Sequence, residues 1–182
     1  MPVTPPSEER LIAIFNAVEP YIEDRYGVPV IIKDVTNPFT GDLDGAEIHV
    51  DYEVSWEDAV FIVAHLFGHT VQWNTDPEAR RVGLRTYAGA TDDELAELVR
   101  YEKEAVCYSL QLFHDAGVHD IDGWLAEFAA CDLDYLVHFY RTGEKPPFRS
   151  FWPTGPVEAI APKPIPEFTT TRWFSRWEGV VI

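Results

Sequence analysis

Apolar residues recur at helical spacing near the start of the chain, where Leu11, Ile14, Phe15, Val18 and Ile22 share one face. Ser7 precedes them as a cap and Gly27 follows as a stop, so the pattern predicts a helix over 8–26, bent or shortened at Pro20. Residues 28–35 read as a buried strand and 37–42, with Pro38 and Gly41, as a loop. A second strand is expected over 46–52. Its alternation puts Glu47, His49 and Asp51 on one face and Ile48, Val50 and Tyr52 on the other.

Ser55, followed by Glu57 and Asp58, opens a helix expected to run to about residue 73. Valine, isoleucine and phenylalanine surround it on nearly every side, which places it in the middle of the domain. Residues 74–91 form a polar connection containing Arg80, Arg81 and Arg85. Thr91 and Glu94 match a capping box, and the helix they open should continue to about residue 116 with Gly117 beyond its end. Leu95, Leu98, Val99, Ala105, Val106, Leu112 and Phe113 trace its buried stripe. Glu102 falls inside that stripe, whereas Glu97 and Glu104 point elsewhere. A last helix is expected over 123–141, with Trp124, Leu125, Phe128, Leu133, Leu136, Val137 and Tyr140 as its apolar set.

From Pro146 the composition changes, with prolines interleaved among Phe148, Phe151, Trp152, Phe168, Trp173, Phe174 and Trp177. Prolines so dense forbid a long helix, and so many aromatics argue against a free tail. The reading is therefore a single α+β domain over 1–145, with a small sheet beside the central helices. An extended arm over 146–182 packs on that domain or on a second copy of the chain as a homodimer. At 182 residues and 46% hydrophobic content, the chain is long enough for one real core. A formal net charge of −17, from 31 acidic against 14 basic residues, would repel a phosphate backbone and excludes nucleic acid as a partner. No apolar run reaches membrane-spanning length and no signal-peptide pattern opens the chain. Two cysteines, Cys107 and Cys131, make no disulfide framework, so a cytoplasmic setting is expected.

The chemistry concentrates at His65 and His69. Four positions apart on a helix, the two imidazoles leave the same face and can reach one metal ion, which is the skeleton of a zinc metallopeptidase site. An open zinc site needs a third protein ligand, usually a carboxylate. Glu102 is the choice, because an ionised carboxylate on a buried stripe costs several kcal/mol unless a cation or hydrogen-bond donors compensate it. Glu104 is the fallback. The position after the first histidine, where such enzymes keep the glutamate that acts as base, is Leu66.

On these residues the chain resembles the ImmA/IrrE-type zinc metallopeptidases, of gluzincin type. The likeness lies in order as well as motif. A helix is followed by the strand after Gly27, the strand through residues 47–50, the His65/His69 helix with Gly68 before the second histidine, and Glu102 three residues before Ala105. It spans about 7–117, and the arm has no counterpart in it. The resemblance implies a metallopeptidase-like fold, a zinc ion on His65, His69 and Glu102, and a general base at position 66 that Leu66 cannot supply. Loss of such a base typically costs about 10²–10⁴ in rate.

Three readings follow. The first is a divergent metal-dependent enzyme with a peptide or small-molecule substrate and a substitute acid or base. Candidates are Glu47, His49 or Asp51 from the strand, then Tyr108, Glu104 or His114. The second places iron or another redox metal on the same two histidines and carboxylate. The third is a non-catalytic binding module using the cleft or the arm. Gln72, three residues past His69, is placed to orient a ligand from behind.

Overall fold

A cap of the expected kind opens most of the long helices. Ser7 accepts a hydrogen bond from the Arg10 amide and opens α1 (Glu8–Tyr26), and Gly27 closes it in the left-handed conformation at φ 64°. Pro20 lies within α1 without shortening it. Leu11, Ile14, Phe15 and Val18 before it and Ile22 after it are all buried, and this packing holds the helix across the missing amide. The structure is a computed structural model that describes residues 3–35, 40–85 and 89–173.

Three short strands follow: β1 (Val30–Lys33), β2 (Gly41–Leu43) and β3 (Ile48–Asp51). They form one sheet in the order β1-β3-β2, with β1 parallel and β2 antiparallel to β3. Two expectations fail here. Gly41 to Leu43 form a strand where a loop was expected, paired residue for residue with Val50, His49 and Ile48. Such pairing is set by distant residues and is invisible in a turn-rich local composition. The strand read as buried is instead an edge strand, because Ile31 and Ile32 are 36% and 49% exposed and only Val30 turns inward. The central strand β3 is buried along its whole length, so the alternation of Glu47, His49 and Asp51 does not describe a solvated face. Asp51 is buried because its carboxylate accepts from the amides of Val35 and Glu53.

Ser55 caps α2 (Trp56–Thr75), the most enclosed helix, which packs on α1, β2, β3 and two later helices. The expected polar connection contains a further short helix, α3 (Pro77–Gly83), capped by Asp76 with proline in its first turn. Thr91 and Glu94 form both hydrogen bonds of a capping box at the start of α4 (Asp92–Asp115). The last helix is α5 (Asp122–Thr142), buried at Trp124, Leu125, Phe128 and Cys131 and half-buried at Leu133, Leu136, Val137 and Tyr140.

Beyond a single 3-10 turn (Phe148–Phe151), the arm runs without regular structure across its own domain. Trp152 packs edge-on to Phe128, the Lys163 amide donates to Cys107 O, and Phe168 stacks on Tyr26 at 5.7 Å. Its described end lies over the β2–β3 turn. There the Trp173 amide donates to Asp44 O, and Arg172 pairs with Asp44 and Glu47. Phe174 and Trp177 lie outside the described residues. Among the described residues no helix is long and apolar enough to cross a membrane.

Candidate metal centre

The site is set by the closeness of two helices. Gly68 of α2 lies directly against Ala105 of α4. A Cβ at Gly68 would stand 2.8 Å from the Ala105 carbonyl carbon, 3.0 Å from its Cα, and closer still to its oxygen. Ser109 fastens the same crossing from α4, its hydroxyl within 2.9 Å of both Ala64 O and Ala105 O. Gly68 sits between the two histidines, and Ala105 is one turn past Glu102. The crossing therefore drives all three side chains into one volume.

There they converge. His65 Nε2 lies 3.0 Å from Glu102 Oε2, His69 Nε2 3.2 Å from the same oxygen, and the two Nε2 atoms 3.0 Å apart. All three residues are buried. Donors about 2.0–2.1 Å from a tetrahedral zinc ion stand about 3.3–3.4 Å apart, so this triangle is close to the size such an ion requires. Among the described residues this is the one group of three or more histidine, cysteine or carboxylate side chains whose donor atoms all lie within 4.8 Å of one another, and it could hold a metal ion.

The hydrogen-bond network also assigns the tautomer of His69. Gln72 Nε2 donates to Tyr101 O at 2.9 Å and to Glu104 Oε2 at 2.8 Å, which leaves Gln72 Oε1 facing His69 Nδ1 at 2.9 Å. An amide oxygen only accepts, so Nδ1 carries the proton and a neutral His69 presents the lone pair of Nε2 to the triangle. Aromatic faces fix both rings. Phe61 stacks on His65 at 5.1 Å and Tyr101 on His69 at 4.3 Å, with the Tyr101 hydroxyl held by Trp73 Nε1. Burial pushes the Glu102 carboxyl up, but the charge of His69 and the hydrogen bond from His65 outweigh it and hold the group at about 2. The carboxylate is thus ionised at neutral pH and depends on positive charge or donors directly beside it. His65 Nδ1 is buried with no hydrogen-bond partner among the described residues.

Leu66 turns away from this group. It is 2% exposed, and a Cβ at Gly41 would stand 2.8 Å from its Cδ1, so its side chain fills the space between α2 and β2. The other sequence candidates make their bonds elsewhere. Glu104 is joined to His69 only through Gln72, and its other oxygen pairs with Lys163 of the arm. Tyr108 is buried on α4, with the Lys163 ammonium 5.1 Å from its ring centre. His49 pairs with Glu47 at 3.3 Å and Asp42 at 3.6 Å, and Glu47 in turn holds Arg172. His114 pairs with Asp122 at 3.0 Å where α4 meets the start of α5. The three arginines also have structural partners: Arg80 with Trp73 O and the Trp173 ring, Arg81 with Glu78, and Arg81 and Arg85 with Glu97.

One residue near the triad escaped the sequence reading. Asp132 of α5 is half-buried and interacts electrostatically with His65 and Glu102. Burial pushes its carboxyl up to about 7, a rise that His65 opposes and the Glu102 charge supports. Its signal was present, since 124, 128 and 132 follow one another at four-residue steps and the first two are the large aromatics of the buried face. A carboxylate continuing that stripe stands where another aromatic would have packed.

No family model matches the chain, and no curated protein or solved structure matches it either.

Proposed function

We propose that this protein is a divergent metal-dependent enzyme on a metallopeptidase-like domain. In this reading one divalent ion, zinc first, is held by His65, His69 and Glu102. The carrying observation is that the two Nε2 atoms and one carboxylate oxygen lie 3.0–3.2 Å apart on three buried residues. With its Nδ1 proton held by Gln72, His69 can turn the lone pair of Nε2 toward Glu102, and a cation between them would take the place of the proton that otherwise joins the pair. The resemblance of residues 7–117 to the ImmA/IrrE-type metallopeptidases supports the same reading.

When bound, a zinc ion would supply Lewis acidity toward a carbonyl or related group of a peptide or small-molecule substrate. The chain's own residues do the rest. Gln72 holds the His69 ring in one tautomer, Phe61 and Tyr101 fix the ring planes, and the Gly68–Ala105 crossing keeps Glu102 in reach. Leu66 gives no proton acceptor and lies against the sheet, so the standard metallopeptidase route through position 66 is closed. The test is hydrolysis of a peptide and ester panel by zinc-loaded protein, with and without a chelator. Chelator-sensitive turnover that disappears in Glu102→Gln supports the proposal, and no turnover from fully loaded protein refutes its enzymatic part.

The donor set itself favours a second reading, since two histidines and one carboxylate with open positions also suit non-haem iron. Elemental analysis of protein purified without added metal separates the two. Iron retained in preference to zinc, with oxygen consumption on addition of reductant, would select the second.

A further inference from the structure

The helix α5 approaches the centre in a regular register. Trp124 Nε1 donates to Glu57 Oε1 at 2.9 Å, and one turn further along both helices Phe128 stacks on Phe61 with ring centres 4.1 Å apart. Residues 57 and 61 of α2 thus face 124 and 128 of α5, and the next four-residue step on each helix sets Asp132 opposite His65. Phe148 and Trp152 brace Phe128 from the other side, and the Cys131 thiol donates to Phe148 O, which fixes the rotation of α5 at this level.

The same carboxylate does not join the ligand group. Asp132 is absent from the set of donors lying within 4.8 Å of one another, and His65 Nδ1 has no hydrogen-bond partner among the described residues. It couples electrostatically to His65 and Glu102, and no hydrogen bond or ion pair joins it to either among the described residues. It also keeps some exposure, whereas His65, His69 and Glu102 are buried. A carboxylate set opposite His65 that bonds to none of the three donors is placed to face a molecule held beside the ion.

We propose that Asp132 is the proton acceptor of this centre, taking from α5 the task that Leu66 cannot perform on α2, and that it touches the protic group of the bound molecule directly. The proposal rests on the metal-centre reading above. In a hydrolysis, one proton of the attacking water passes to an Asp132 oxygen as the water oxygen bonds to the substrate carbonyl carbon. That proton then moves to the leaving group as its bond to the carbon breaks, and Asp132 returns to the carboxylate. No oxidant or further reactant is needed.

The test uses full-length protein loaded with cobalt(II), whose visible spectrum reports both occupancy and binding at the ion. Two probes are titrated at neutral pH: acetohydroxamic acid, which must give up its O–H proton to bind as the anion, and azide, which has none to lose. The variants are Asp132→Asn, which keeps the shape but is a poor proton acceptor, and Asp132→Ala. Asp134→Ala, an exposed neighbour on the same helix, is the control. The expected result is one cobalt per chain in every protein. Acetohydroxamic acid should bind at least tenfold more weakly in both Asp132 variants and as in wild type in the control, with azide unchanged or tighter throughout. Equal affinity of the Asp132 variants and wild type for acetohydroxamic acid would overturn the proposal. So would loss of cobalt on changing Asp132, which would make it a ligand or a support of His65. Failure of the wild type itself to take up cobalt would instead overturn the metal centre, and the proposal with it.

Discussion

The substitution Gly68→Ala tests the helix crossing that assembles the centre. In an exposed helix the change would stabilise by about 1 kcal/mol, because alanine is the better helix former. Here the new methyl would stand 2.8 Å from the Ala105 carbonyl carbon and closer to its oxygen, against about 3.5–4.0 Å for a relaxed carbon–carbon contact. The opposing atoms are helix backbone and cannot rotate aside, so α2 and α4 must separate by about 1 Å. Overpacking of this kind costs about 1–3 kcal/mol, which leaves a net loss of up to about 2 kcal/mol after the helix gain. Metal affinity should suffer more than stability. Glu102 moves with α4 and the histidines with α2, so the 3.0 and 3.2 Å edges of the triangle open by a comparable amount. We expect urea unfolding of the metal-free variant to report the modest loss, and zinc competition against a chromophoric chelator to show affinity down by tenfold or more. A variant as stable as wild type and equal to it in zinc affinity would refute the close crossing and the geometry built on it.

Three further outcomes follow from individual side chains. Leu66→Glu places a carboxylate between α2 and β2, where no donor replaces water. It should therefore lower stability by about 3 kcal/mol or more without creating peptidase activity; normal stability with chelator-sensitive peptidase activity would show that position 66 faces the cleft after all. Gln72→Leu removes the acceptor of His69 Nδ1 and the donor that ties Gln72 to Tyr101 O and Glu104, so zinc affinity should fall by about 10–100-fold, and an unchanged affinity would show that the tautomer is held some other way. The Asp42 carboxylate, 3.6 Å from Nδ1, raises His49 above its ordinary value, burial opposing and Glu47 adding to the rise. Its stabilising contribution is therefore complete below about pH 6.5 and is lost as pH rises through the elevated folded value. An NMR titration should place the His49 midpoint above 6.5 and Asp42→Asn should lower it, whereas a normal midpoint in wild type would contradict the pairing.

What could be read from the chain alone divides along physical lines. The helices at 8–26, 56–75 and 92–115 were legible because Ser7, Ser55 and Thr91 cap them and the 3.6-residue period runs unbroken. Glu102 was legible as a third donor because a charged residue on a buried stripe demands compensation, and the structure brings it to both histidines. The sheet was less legible. Gly41–Leu43 becomes a strand only because β3 lies beside it, and Ile31 and Ile32 look buried until the sheet proves to end at β1. The short α3 had its signals in Asp76 and Pro77, masked by a polar composition that suggests a loop. Asp132 was hidden by its distance along the chain. Only the pairing of Trp124 with Glu57 and of Phe128 with Phe61 shows which turn of α5 faces His65.

The central claim is that two imidazoles and one buried carboxylate form a cation site. Its most direct test is the metal content of purified protein after reconstitution with zinc and removal of excess, compared with Glu102→Gln prepared in parallel. The account predicts one ion per chain in the wild type and little or none in the variant. A wild type that takes up no ion, or a variant that retains one as tightly, would contradict it.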